Sequence, residues 1–160
     1  MALTYSASFS GTSYAGVSVS AVQDLFLVAP SAAVPVQLMR VSFSTSGQTS
    51  PGNLIVSIQR YTATVTNGSG GSTPSIYEVA QYSTRAASST VLANCTTRTS
   101  TTGSKTLLWV GTIQDLNNLD DILIPELRYQ INPTQALVIG LEVAPSATTL
   151  YGTILFNELV

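Results

Sequence analysis

The chain contains no histidine and a single cysteine among its 160 residues. Without histidine there is no Ser-His-Asp or Cys-His relay, and the imidazole ligands of the usual catalytic zinc sites are missing. One cysteine, Cys95, allows no intrachain disulfide and reads as a small core filler rather than a nucleophile. Charge is scarce as well: charged residues make up 9% of the chain, against roughly 25% in an average soluble domain. The six basic residues Arg40, Arg60, Arg85, Arg98, Lys105 and Arg128 are scattered and the net charge is −2, so no basic stripe awaits a phosphate backbone and no nucleic acid is expected as a partner. No apolar run approaches the ~18 residues of a membrane helix, and M-A-L-T-Y-S-A-S-F-S has neither a basic n-region nor a continuous apolar h-region. Neither a membrane span nor a secretion signal is expected. There is no P-loop and no G-x-G-x-x-G: Gly68, Gly70 and Gly71 lie in a Ser-rich stretch instead of a strand-to-helix turn.

What remains is apolar and uncharged polar. Hydrophobic residues account for 44% of the chain, and the polar remainder is mostly Ser, Thr, Asn and Gln. These residues compete for backbone hydrogen bonds and favour strands and turns, while the exposed-helix formers Lys and Glu are nearly absent. A chain of this length forms one domain, residues 1–160, and buries about two-thirds of its unfolded surface.

The densest apolar pattern is Q-A-L-V-I-G-L-E-V-A-P-S-A-T-T-L-Y-G-T-I-L-F-N-E-L, residues 135–159. Leu137, Ile139, Leu141 and Val143 alternate along one run, and Leu150, Gly152, Ile154 and Phe156 along the next; Pro145 ends the first. The pattern predicts a C-terminal hairpin. Leu3, Tyr5, Ala7 and Phe9 alternate in the same way, so residues 1–16 form either an edge strand or an arm laid on a partner by β-augmentation. Leu25 to Ala29, bounded by Pro30, reads as a strand rather than a helical turn. The phase switch from Val34, Val36, Leu38 to Met39, Val41, Phe43 predicts a β-bulge near Leu38 and Met39. A second switch, from Leu54, Val56, Ile58 to Tyr61, Ala63, Val65, predicts a bend or a passage between sheets. N-G-S-G-G-S-T-P at 67–74 reads as a flexible loop. T-L-L-W-V-G at 106–111 is apolar on both faces, as in a strand covered on both sides, with Trp109 a core or interface anchor. Eight to ten strands with frequent turn signals and no helix predict an all-β fold, a single-domain antiparallel β-sandwich of jelly-roll type.

For chemistry there is little. Asp115, Asp120, Asp121 and Glu126 are close in sequence, but their spacing is not that of an EF-hand loop, and a solvated turn is expected rather than a metal site. No catalytic residue and no cofactor are assigned, and the chain is not expected to be an enzyme. A β-rich chain with few charges also lacks the usual guard on sheet edges, which predicts that its edges and apolar patches are covered by copies of itself or by a larger assembly.

The order of T-Y-S-A-S-F-S-G, N-G-S-G-G-S-T-P, K-T-L-L-W, I-P-E-L-R, Q-A-L-V-I-G-L-E-V-A-P-S and Y-G-T-I-L-F-N-E-L resembles small virion proteins of tailed bacteriophages, of the head decoration or cement type. The resemblance implies a non-enzymatic capsid protein, made in the bacterial cytoplasm, that sits on the outer surface of the head as a homotrimer and clamps neighbouring major capsid protein subunits. Candidate interface residues are Leu3, Tyr5, Phe9 and Tyr14 near the N-terminus, with Arg40, Arg60, Arg128 and Tyr129 facing acidic capsid surface or its surroundings. The alternative is a receptor- or carbohydrate-binding sandwich of a tail or head fibre, with Tyr77, Tyr82, Tyr129 and Trp109 as its aromatic platform.

Overall fold

A computed structural model describes residues 2–9, 16–46, 53–79, 85–114, 118–145 and 148–160. In chain order the strands are β1 (Ala2–Ser8), β2 (Val17–Val19), β3 (Gln23–Ala29), β4 (Val36–Ser46), β5 (Asn53–Tyr61), β6 (Val65–Thr66) and β7 (Ile76–Glu78). They continue with β8 (Thr90–Cys95), β9 (Ser100–Thr101), β10 (Lys105–Gln114), β11 (Leu119–Ile122), β12 (Gln130–Ile131), β13 (Ala136–Leu141) and β14 (Thr148–Leu159). Among the described residues the one helical piece is a 3-10 turn at Pro125–Leu127. The count exceeds the expected eight to ten because several pieces are only two to four residues long.

Two antiparallel sheets pack face to face. The first runs β11-β4-β14-β1-β7, with β12 added to β4 and β2 to β14; the second runs β10-β5-β13-β3-β8. β3 to β4, β4 to β5 and β13 to β14 each pass from one sheet to the other. The fold is the all-β sandwich that the alternation predicted. The C-terminal hairpin is not formed: β13 pairs with β3 and β5, and β14 with β1, β2 and β4, so the two runs become the central strands of opposite sheets. Alternation reports which face of a strand is buried and is silent about its hydrogen-bonded neighbour.

The inward sets meet between the sheets. Leu137, Ile139 and Leu141 of β13 and Leu150, Ile154 and Phe156 of β14 are buried in one cluster with Leu54, Val56 and Ile58 of β5. Phe9, Phe26 and Phe43 form a ring triad in it, with centroids 4.7, 5.9 and 6.1 Å apart and tilted planes. Gly152 makes the triad fit: a Cβ there would lie 2.4 Å from Cζ of Phe9. Residues 1–16 resolve in favour of a strand as far as they are described, since β1 lies inside the sheet between β14 and β7.

The bulge in β4 falls where the phase switch placed it: Leu155 pairs Arg40 and Phe156 pairs Leu38, leaving Met39 as the extra residue. The second switch has another cause. β5 stays in register with β13 from Val56 to Tyr61, and Tyr61 simply faces outward, packing with Leu27, Ala136 and Val138 in a small second cluster on the outer face. Val65 of the β6–β9 ribbon helps to cover it.

The expected flexible loop at 67–74 is instead anchored. Ser69 exchanges backbone hydrogen bonds with Thr97, Ser72 with Ala93, and Gly68 N–H donates to Thr99 Oγ1 at 3.1 Å. Its glycines serve close approach: a Cβ on Gly71 would lie 2.2 Å from the Ala93 carbonyl oxygen.

Two outcomes follow. Gly152→Ala should destabilise the fold by about 1–3 kcal/mol through overpacking, whereas Thr153→Ala, on the outer face, should stay within about 0.5 kcal/mol, both read by chemical denaturation. Amide hydrogen exchange at Ser69, Ser72 and Thr97 should be slowed well beyond that of a free Gly-rich loop; unprotected amides there would contradict the anchoring.

Candidate interaction surface

The sandwich has two sides, and they differ. On the β8 side the described residues cover the sheet edge, while on β7 Tyr77 and Val79 stay exposed and no strand among the described residues pairs with its outer edge. Glu158, 2% exposed, accepts hydrogen bonds at Oε1 from Ser88 N, Ser89 N and Ser89 Oγ at 2.7–2.8 Å, and Tyr5 Oη donates to the Arg85 carbonyl at 3.3 Å. The segment 85–89 is thereby tied over the end of the core, and the anchored loop covers the far edge of β8.

On the other side β10 is the edge of one sheet and β11 the edge of the other. Tyr129 links the two sheets here: its carbonyl accepts from Leu38 N of β4, while its phenol donates to the Leu108 carbonyl of β10 at 3.5 Å. Here Leu107, Val110, Ile122, Ile124 and Leu127 are each more than half exposed. The reading of 106–111 as a strand covered on both sides is therefore corrected within this chain. Trp109 faces the core, packing beside it over Gly111, while Leu107 and Val110 stand in solvent. Lys105, the one charge in β10, sits at its start with Nζ 4.8 Å from the centre of the Tyr61 ring. No strand among the described residues pairs with the outer edge of β10, whose ladder is interrupted by the bulge between Leu107 and Trp109.

The residues singled out from the sequence divide accordingly. Leu3, Tyr5 and Phe9 are buried in the sandwich core, so their side chains serve the fold and are closed to a partner. Burial, followed by Glu158 and Glu78, pushes the Tyr5 phenol above its usual pKa. Tyr14 lies outside the described residues. Arg40 forms a two-pronged ion pair with Asp120 at 2.7 and 2.6 Å, which holds the Asp120 carboxyl below the usual range; this exposed pair adds little stability. Arg60 Nε is buried without a hydrogen-bond partner among the described residues, and Arg128 Nε donates to the Leu123 carbonyl at 3.2 Å. Tyr129 is half-buried, its phenol raised by burial and then by Asp121. Of the four aromatics considered for a sugar platform, Tyr77 is exposed, Trp109 and Tyr129 are half-buried against the core, and Tyr82 lies outside the described residues.

The acidic stretch expected as a turn is a strand where it is described, Asp120 and Asp121 lying in β11 paired with β4; Asp115 lies outside the described residues, and among those described no three His, Cys, Asp or Glu side chains are grouped to hold a metal ion. Burial, then Asp24, raises the Cys95 thiol, which is 1% exposed. One cluster went unseen in the sequence. On the outer face of the second sheet Arg98 donates to Asp24 at 3.0 Å and to both carboxylate oxygens of Glu142 at 2.8 and 2.9 Å. Thr99 N–H completes Asp24 at 2.6 Å, and Ser57 and Gln59 donate to Glu142. Every carboxylate oxygen here is held by a donor, which leaves no free base: the arrangement is a clamp. Its signal was present as two acids breaking apolar strands, in Q-D-L-F-L-V and V-I-G-L-E-V.

No family model, no curated protein and no solved structure matches this chain. No helix among the described residues is long and apolar enough to cross a membrane.

The clamp is acid-sensitive. Arg98's hydrogen bonds hold the Glu142 carboxyl below its ordinary pKa of 4.5 against the opposing pull of burial, with Ser57 and Gln59 assisting. A carboxyl whose pKa is lowered by folding adds stability that is complete above 4.5 and is lost as pH falls through the folded value. Glu142→Gln should therefore cost about 1–3 kcal/mol near pH 7. Its deficit relative to the parent should shrink as pH drops below 4.5; a gap independent of pH would remove the clamp from the account.

Proposed function

We propose that this chain is a non-enzymatic head decoration protein of a tailed bacteriophage. In this reading it binds the outer surface of the capsid as a homotrimer and stabilises contacts between neighbouring major capsid protein subunits. The observation that carries the reading is the β10 and β11 side of the sandwich, where five large apolar side chains are more than half exposed beside an edge that no described strand pairs. An edge of ten residues with one charge is a ready template for another chain, and its exposure in a free monomer is a liability that assembly removes. Repeated copies on a symmetric shell would sum modest contacts into tight binding. The resemblance in motif order supplies the choice of a phage head. A glycan-binding role has less support, because among the described members of the proposed platform only Tyr77 is exposed.

The test is co-sedimentation of purified protein with expanded phage heads, together with its mass in solution by light scattering. Trimers that coat the heads are expected, and Leu107→Asp with Val110→Asp should weaken coating by roughly tenfold or more without unfolding the monomer, since both side chains are exposed. A monomer that leaves the heads bare ends the proposal; coating unaffected by the double variant ends the assignment of β10 as the contact.

A further inference from the structure

A cavity of about 290 Å³ lies at the β8 side, apart from the apolar rim, between Val17 and Ser18 of β2, Gln23 of β3 and the anchored loop. Gly70, Gly71 and Ser72, lying directly against β8, form one wall together with Asn94 and Thr96. The wall depends on glycine: Gly70 takes a φ of +76°, and a Cβ on it would lie 2.3 Å from Thr96 Oγ1. Asn94 has its own irregular backbone. The β3–β8 register passes from Phe26 against Ala93 to Asp24 against Cys95, and Asn94, skipped by the pairing, adopts a φ of +56°. Asparagine tolerates this left-handed conformation better than most residues.

Asn94 is 7% exposed, and both Oδ1 and Nδ2 of its carboxamide are buried without a hydrogen-bond partner among the described residues. Folded proteins rarely leave both ends of a buried amide unmatched, and such a group calls for a specific explanation. Its surroundings say what would match it. Gln23, 4% exposed, brings a second carboxamide, and Ser18, Ser72 and Thr96 bring hydroxyls. No charged and no aromatic side chain is among the described lining residues. An ionic ligand would lose its hydration with no counter-charge to replace it, and a sugar ring would have no aromatic face to stack on.

We propose that this cavity binds a neutral peptide amide, from the backbone or an Asn or Gln side chain of a partner protein. A carboxamide presents a donor and an acceptor side by side, the complement of the N–H and C=O of another amide. The terminal torsion of asparagine is soft, so the Asn94 carboxamide turns into the cavity at small cost, and it breaks no hydrogen bond in leaving its buried position.

The experiment is a titration of the isotope-labelled chain, followed by proton–nitrogen correlation spectra. One arm uses N-acetylglycine N-methylamide and the other methyl α-D-glucopyranoside. The amide should give saturable shifts at the Asn94 side-chain NH2 and at the backbone amides of Gly70, Gly71 and Thr96, with a dissociation constant on the order of 10 mM for so small a fragment. Asn94→Gly keeps the left-handed backbone and removes the carboxamide; it should weaken binding by roughly tenfold. Should that variant fail to fold, Asn94→Ser carries the same comparison. No saturable shift by about 100 mM, undiminished binding in the variant, or saturation by the glucoside in place of the amide would each overturn the proposal. No capsid enters this test, so its outcome is separate from that of the decoration reading.

Discussion

The fold depends on burying the inner faces of β13 and β14 against each other across the sandwich. These two strands hold the centres of the two sheets, each flanked on both sides, so the other strands of those sheets build outward from them. β13 is buried along its whole length, because the second cluster around Val138 covers its outer face as well. β14 alternates along most of its length, with Leu150, Ile154 and Phe156 inward and Tyr151 in solvent. One strand therefore loses its outward face to the protein and the other presents it. This difference sets the character of the two outer surfaces: Ser and Thr on one, a covering ribbon and an ion clamp on the other.

Local signals in the chain were readable because local sterics produce them. Alternation in Leu3 to Phe9, in Leu54 to Ile58 and in the C-terminal runs identified the inward sets, and the phase switch at Met39 located a bulge. Where the reading failed, information about neighbours was needed. The turn at Pro145 fits a hairpin and a sheet-to-sheet crossing equally well, and only the competition among all strands for partners decides between them. Tyr61 imitated a bend or a passage between sheets because outward apolar residues also shift the apparent phase. Three glycines in 67–74 suggested mobility, yet glycine is also what permits a backbone to lie against a strand with a Cβ-sized gap or less.

The sites were less legible than the fold, for a reason of distance along the chain. Arg98 meets Asp24 and Glu142 across 74 and 44 residues, and Ser89 meets Glu158 across 69. No spacing rule covers such separations. A lone acid inside an apolar strand is still a usable sign, since a buried carboxylate must find donors or lose its charge. Asn94 carries a comparable sign only once its surroundings are known, because its left-handed backbone and its unmatched carboxamide belong to the three-dimensional arrangement.

The scarcity of charge ties these observations together. Arg40 and Arg98 are engaged in ion pairs, Arg128 lies on a backbone carbonyl, and Lys105 sits over the Tyr61 ring. Sheet edges in monomeric proteins are commonly guarded by outward lysines, by covering segments or by bulges. On the β8 side this chain uses covering segments. On the β10 side it has one bulge and one lysine at the end of the strand, with apolar side chains above and below. A bulge limits runaway pairing of identical edges because it breaks the regular ladder, yet it leaves segments on either side long enough to pair with a strand shaped to match. Such an edge is guarded against indiscriminate self-association and open to one partner of the right register.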